Sequence, residues 1–344
     1  AFEEARHRDV PVMISIGYHT CHWCHVMARE SFSDQETGSY VNDRLVSIKV
    51  DREEHPDVDQ HFLTQAAAFI EQLGWPLTVF TTPAGDAFHA ATYLPPEQRG
   101  DTPSFRQVVD AVSTAWSEQK EKVLDGAQSL RDAIRAADQQ AKDREPVVLG
   151  REEWQAVIQH LVEQEDREHG GLGVAPKFPI APVLQFLLLT DDSAARRLAR
   201  RVLDAMAASP LRDAVDGGFF RYATQRDWSE PHYERMLYDN ALLLWCYATV
   251  LEYGHAEGIV GFLRQALRIR GGFASAQDSE SIIDGQRVEG EYYRSDATTR
   301  QTLAPPARDD KVLAGWNGLA LSGLARARLR GVRGDLRELG DEVA

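Results

Sequence analysis

Cys21 and Cys24 lie three residues apart in ISIGYHTCHWCHVMARE, with His19, His22 and His25 around them. Two thiols at this spacing, after a strand and at the head of a helix, suit disulfide exchange. The helix amides and dipole favour a thiolate at Cys21, which becomes the attacking sulfur. Cys24, one turn on along the same face, closes back on it and releases the mixed disulfide. Protonated His22 and His25 would favour that thiolate further. Two other chemistries fit the same letters. CHWCH matches the C-x-x-C-H pattern of haem attachment, which requires export. His19, Cys21, Cys24 and His25 could also hold zinc, although structural zinc usually draws a second ligand pair from further along the chain, and no second cysteine pair exists. Inert packing is the remaining alternative. Gly74-Trp75-Pro76 precedes a strand-like run. A cis Pro76 could face the cysteine pair and hold substrate backbone, whereas a proline opening a strand needs no special role.

A second set of reactive side chains lies downstream. RDWSEPHYERMLYDN places Trp228, His232, Tyr233, Glu234, Tyr238 and Asp239 close together, and QDSE with EGEYY adds Asp278, Glu280, Glu289, Glu291, Tyr292 and Tyr293. Aromatic faces with carboxylates are what sugar chemistry uses: stacking surfaces, and an acid and base to move protons. Each also has a plainer use. Glu234 fits a helix first turn, Asp239-Asn240 and Trp316-Asn317 fit buried hydrogen-bond hubs, and His232 fits a satisfied core histidine. DDKVLAGWNG lacks the glycine spacing that cradles phosphate.

The elements that position these groups follow from periodicity. AFEEARHRD predicts a helix, PVMISIGY a strand, and CHWCHVMARESFSDQETGSYVNDR a helix in two segments, the second capped by Ser33 or Asp34. RLVSIKVD is a second strand, HPDVDQHFLTQAAAFI a helix, WPLTVFTTPAG a third strand and DAFHAATYLPP its hairpin partner. That order predicts a mixed sheet with helices on its faces. Residues 105–142 read as helix throughout. AKDREPVVLG, at 141–150, reads as a linker. Beyond it five segments carry helical spacing: EEWQAVIQHLVEQED, VLQFLLLT, SAARRLARRVLDAMAAS, MLYDNALLLWCYATVLEY and KVLAGWNGLALSGLARARLR. No strict repeat is legible, but helices alternating with decorated loops suggest an array of helical hairpins.

The bulk numbers narrow the classes. The 344 residues imply two domains, and 43% apolar with 26% charged residues is ordinary globular composition. A net charge of −15, from 38 basic and 53 acidic residues, disfavours nucleic acid and anionic membranes as partners. No apolar run is long enough to span a bilayer. Three cysteines do not make a disulfide scaffold, and Cys246 in LLLWCYATV fits a buried hydrophobe. Cytoplasm is the expected compartment.

The phrases GYHTCHWCHVMARESF, VSIKVDREEHPDVD and GWPLTVFTTPAG resemble the thioredoxin-like domain of the spermatogenesis-associated protein 20 family. APKFP, PHYERMLYDNALL, GGFASAQDSES and DDKVLAGWNGLA resemble its second domain, so the likeness runs over nearly the whole chain. The resemblance implies an α/β thioredoxin-like domain at 1–145, followed at 146–344 by an all-α, six-hairpin (α/α) toroid of the kind found in N-acylglucosamine epimerases and inverting glycosidases. It carries the cysteine-pair role to Cys21 and Cys24, the cis-proline position to Pro76 and the strand-closing acid to Asp51. In the second domain it points to Lys177, His232, Glu234, Asp239, Asn240, Asp278, Glu280, Asp310, Lys311, Trp316 and Asn317, to which Trp228 is added from its loop. The residues after the linker suffice for about six or seven helices, so the toroid is expected to be partial, and the family's lead-in before Ala1 to be absent.

Three functions therefore compete: a thiol–disulfide oxidoreductase, a sugar epimerase or hydrolase with an accessory thioredoxin part, and a non-catalytic binding protein on both scaffolds. The expected partners are protein thiols and disulfides or a small carbohydrate-like ligand. No cofactor and no metal are expected.

Overall fold

The computed structural model describes residues 1–145, 148–341 and 343. The chain divides into two compact units, Ala1–Pro146 and Val147–Ala344. The division falls within the stretch read as a linker, of which residues 146 and 147 lie outside the described residues.

The first unit runs α1 (Phe2–Arg8), β1 (Val12–Gly17), α2 (His22–Met27), α3 (Gln35–Arg44), β2 (Val46–Asp51), α4 (Pro56–Ala66), β3 (Leu77–Thr81), β4 (Ala87–Ala91), α5 (Phe105–Glu118) and α6 (Lys120–Lys142). Its sheet has the order β2-β1-β3-β4, with β1 parallel to β2 and antiparallel to β3. β1 is apolar along almost its whole length because both of its faces are covered. Ile14, Ile16 and Val79 pack on one side with Phe62 and Ala66 of α4. Met13 and Phe80 pack on the other with Met27 and the α5 stripe of Phe105, Val108, Val109 and Val112. That stripe has the i, i+3, i+4, i+7 spacing of a helix face, and each fully buried side chain in it contributes about 1.5–3 kcal/mol.

Local signals set the helix ends. Asp34, one of the two expected caps, accepts the Thr37 amide at 2.7 Å. Ser104 and Gln107 form a reciprocal capping box at the start of α5. The span 105–142 is two helices rather than one, because Gln119 leaves helical torsions.

The second unit comprises α7 (Arg151–Glu163), α8 (Ala181–Leu189), α9 (Ser193–Ala208), β5 (Tyr222–Ala223), β6 (Pro231–His232), β7 (Arg235–Met236), α10 (Leu237–Thr249), α11 (Tyr253–Phe262), β8 (Arg268–Ile269), β9 (Gly272–Phe273), β10 (Ala276–Gln277), β11 (Glu280–Ile283), β12 (Gln286–Glu289), α12 (Glu291–Arg294), α13 (Ala297–Arg300), β13 (Arg308–Asp309), α14 (Ala314–Leu329) and α15 (Leu336–Asp341). Long helices pack through apolar faces such as Leu198, Ala199, Val202, Leu203 and Met206 of α9. The segments between them, read from sequence as loops, carry short strands, among them a three-stranded sheet β13-β10-β7 and the hairpin β11-β12. α11 was not among the expected helices. Its Gly254, Gly258 and Gly261 weaken helical propensity, and Gly258 lets Gly217 approach so closely that a Cβ on Gly217 would lie 2.3 Å from the Gly258 carbonyl oxygen.

A repeat does exist, as a turn. DREHGGL (166–172) and DAVDGGF (213–219) fold alike. The Asp166 and Asp213 amides donate to Gly171 and Gly218 carbonyls at 2.9 and 3.1 Å. One carboxylate oxygen of each accepts two amides of its own turn. The other accepts a buried cation, Lys177 at 2.7 Å or Arg235 at 2.8 Å. The same cations donate to the Gly170 and Gly217 carbonyls. Both glycines of each pair have φ between 71° and 87°, left-handed torsions that favour glycine. A second device also recurs: Asn240 clamps the backbone N–H and C=O of Phe219, and Asn317 does the same to Phe273.

Candidate functional site

In the first unit, β1 ends at Gly17 and the chain turns through Tyr18–Thr20 to place Cys21 as N-cap of α2. The Cys24 amide donates to the Cys21 sulfur at 3.2 Å, and the two sulfurs are joined as a disulfide. The His25 ring bonds the His19 carbonyl. Cys21 is 2% exposed, whereas Cys24 is only half-buried. Cys24 lines a groove of about 430 Å³ together with His19, His25, Lys49, Asp51, His55 and Pro76.

The Trp75–Pro76 peptide is cis. Trp75 is anchored by donating its indole N–H to Asp59 at 2.8 Å, under the Arg52 guanidinium, which lies 3.8 Å from the ring. Trp23, inside the dithiol loop, is 42% exposed and lies against Tyr93, with ring centroids 4.9 Å apart. The Tyr93 hydroxyl donates to Glu30, and burial together with that carboxylate pushes its pKa up to about 12. Among the described residues no group of three or more His, Cys, Asp or Glu side chains is placed to hold a metal ion.

In the second unit the short strands gather most of the sequence-selected residues. β7 pairs with β10 so that Arg235 faces Gln277, and a selected carboxylate adjoins each strand in the chain, Glu234 before Arg235 and Asp278 after Gln277. The Asp278 carboxylate accepts the Glu280 amide at 3.0 Å. Glu280 faces Glu289 across the β11-β12 hairpin, and Glu289 lies 3.3 Å from His232 Nδ1. The His232 ring packs on Tyr222, which stacks on Phe178. Burial, reinforced by the charge of Glu234, pushes the Tyr222 hydroxyl up to about 12.

Arg221, which the sequence reading did not single out, lies within this ring of groups and donates to Glu234 at 3.1 Å. Burial alone would lower its pKa, but Glu234, Tyr238 and Asp239 outweigh that and hold it above the usual value. An arginine amid a carboxylate-rich stretch was the available signal, since a buried carboxylate needs a counter-charge. Tyr238 leads on to Trp316, with ring centroids 4.8 Å apart.

Several selected residues lie apart, among them Lys177 and Asn240, which belong to the turn and the clamp described above. Trp228 is a core residue, its indole N–H donating to the His169 and Gly170 carbonyls over Lys177. Asn317 is spent on the Phe273 clamp. Asp310 is exposed beside Arg308.

The chain thus has a thioredoxin-like α/β domain bearing a cysteine pair, followed by a helical domain. Residues 1–135 match the thioredoxin-like DsbH family, described as a protein of unknown function, DUF255. Spermatogenesis-associated protein 20 of Homo sapiens is 38% identical over 329 residues, covering 89% of this chain and 41% of that protein. Its Mus musculus counterpart is 36% identical over 324 residues, covering 89% and 41%. The chain is similar to spermatogenesis-associated protein 20 over most of its own length and spans about two fifths of the length of these curated proteins. Among solved structures, the cellobiose 2-epimerase of Spirochaeta thermophila aligns at 18% identity and a TM-score of 0.40, covering 54% of this chain and 49% of that one. A DsbH oxidoreductase aligns at 17% identity and 0.25, covering 34% and 80%.

Proposed function

We propose that the chain performs thiol–disulfide exchange through Cys21 and Cys24, with Pro76 holding the backbone of a protein substrate. The observation that carries this reading is the disulfide-linked pair at the head of α2, with Cys21 as N-cap accepting the Cys24 amide. In the reducing direction the Cys21 thiolate attacks a substrate disulfide and expels one substrate thiolate. The Cys24 thiolate then attacks the Cys21 sulfur and expels the other. Substrate is reduced by two electrons and the pair is oxidised by two. Partners are accordingly protein thiols and disulfides, and the net charge of −15 disfavours nucleic acid and anionic membrane. Among the described residues no helix is long and apolar enough to cross a membrane. With Cys246 the single cysteine outside the pair, the chain has no second disulfide to form within itself, and a cytoplasmic setting is part of the proposal.

The test is direct. The reduced chain, freed of reductant, should lose two thiols to oxidised glutathione at neutral pH. Cys246 should stay unreactive, because burial pushes its thiol up to about 12. Failure of the pair to oxidise would leave the non-catalytic binding reading in its place.

A second reading is favoured by the gathering of His232, Glu234, Asp278, Glu280 and Arg221 beside Tyr222 and Phe178. Buried carboxylates with aromatic neighbours suit a small carbohydrate-like ligand, as in epimerases or hydrolases. Titration calorimetry with cellobiose and N-acetylglucosamine should give heat that Glu234→Gln reduces at least about tenfold in affinity, the loss typical of a charged hydrogen bond. No heat with either sugar would sink this reading.

A further inference from the structure

Gly17 closes β1 with ordinary strand backbone, pairing with Asp51 of β2, and no left-handed torsion there calls for glycine. Glycine in a strand costs stability unless something approaches its backbone closely. Here that something is the Cys24 sulfur. A Cβ built on Gly17 would lie 2.7 Å from Cys24 Sγ and 3.5 Å from Cys24 Cβ, where ordinary contacts begin at 3.4 Å, and nothing else comes within 4 Å. The strand end is therefore the floor on which the second sulfur of the pair rests.

We propose that Gly17 is a positioning residue for the cysteine pair: its missing side chain seats the Cys24 sulfur where it can bond Cys21. The inference rests on the exchange reading and deepens it. The asymmetry between the two redox states gives the effect its direction. In the disulfide, Cys24 Sγ is tied to Cys21 and cannot leave the floor. In the dithiol it is free to turn to another staggered rotamer. A methyl at residue 17 therefore penalises the disulfide more than the dithiol, making the pair harder to oxidise.

The experiment equilibrates the wild-type chain and Gly17→Ala in glutathione buffers of varied ratio and counts alkylated thiols. The reaction is dithiol plus oxidised glutathione giving disulfide plus two reduced glutathione. The expected result is a fall of about tenfold or more in that equilibrium constant for Gly17→Ala, in keeping with the cost of overpacking one methyl. A wild-type pair that titrates normally with an unchanged Gly17→Ala would overturn this inference alone. A wild-type pair that does not titrate would remove the exchange reading and this inference with it. Should Gly17→Ala fold poorly, Cys24→Ala and the double variant are compared by urea denaturation. With the sulfur gone the added methyl meets only Cys24 Cβ at 3.5 Å, so the double variant should match Cys24→Ala. An equal loss of stability from Gly17→Ala in both backgrounds would assign the contact to the fold at large and overturn the proposal.

Discussion

Cys21→Ser is expected to abolish reduction of a model disulfide, and Cys24→Ser to accumulate a mixed disulfide on Cys21. The electrostatics argue for this order. Cys21 sits at the helix N-cap and its sulfur accepts the Cys24 amide, so a negative charge on Cys21 is stabilised by amide and dipole in a way that charge on Cys24 is not. Near neutral pH alkylation of Cys21 in the reduced chain should outpace that of Cys24 by roughly tenfold or more. Access argues the other way, since Cys21 is 2% exposed in the disulfide while Cys24 borders the groove. Mass spectrometry of the two serine variants after exposure to oxidised glutathione separates these terms. An adduct that forms on Cys24 in Cys21→Ser as readily as on Cys21 in Cys24→Ser would give the attacking role to whichever sulfur is exposed.

The parts of this molecule that sequence exposes are those with local causes. A buried strand, a helix-capping cysteine and a proline before a strand all leave signals within a few residues, and β1, α2 and Pro76 follow them. Gly17 stands four residues before Cys21, yet its role is invisible there, because it depends on where the Cys24 sulfur lands after the chain turns. The repeated turn has a legible spacing, an aspartate four residues before paired glycines. What hides it is that its cations come from unequal distances: Lys177 lies 11 residues beyond Asp166 and Arg235 lies 22 beyond Asp213. Trp228 shows the converse. Its neighbours in sequence suggest a sugar platform, but Gly171, on which a Cβ would lie 2.5 Å from the indole ring, seats it in the core. Arg221 went unseen because pairing a buried arginine with Glu234 takes two short strands that no periodicity announces.

Lys177→Met is expected to cost about 3 kcal/mol of unfolding free energy, whereas Arg226→Ala should cost much less, although both cations bond the same carboxylate. Lys177 and Asp166 are both almost wholly buried and 2.7 Å apart, while the Arg226 side chain is 48% exposed. Removing Lys177 strips the Gly170 carbonyl of a donor and leaves Asp166 with Arg226 as its remaining cation beside the two turn amides. Methionine keeps most of the stem volume, so the loss reports on charge rather than on a cavity. The pH dependence has a definite sign. Burial would raise the Asp166 carboxyl, but Arg226, Lys177 and the amides of His169 and Glu168 outweigh it and hold it well below the usual range. A depressed folded-state pKa gives stability that is fully present above the unfolded value of about 3.9 and is lost as pH falls through the folded value. The gap between wild type and Lys177→Met, read from urea midpoints, should therefore be flat from about pH 5 to 8 and shrink below about pH 4. Equal costs for the two substitutions, or a gap that widens in acid, would show that the buried cation does not hold the turn.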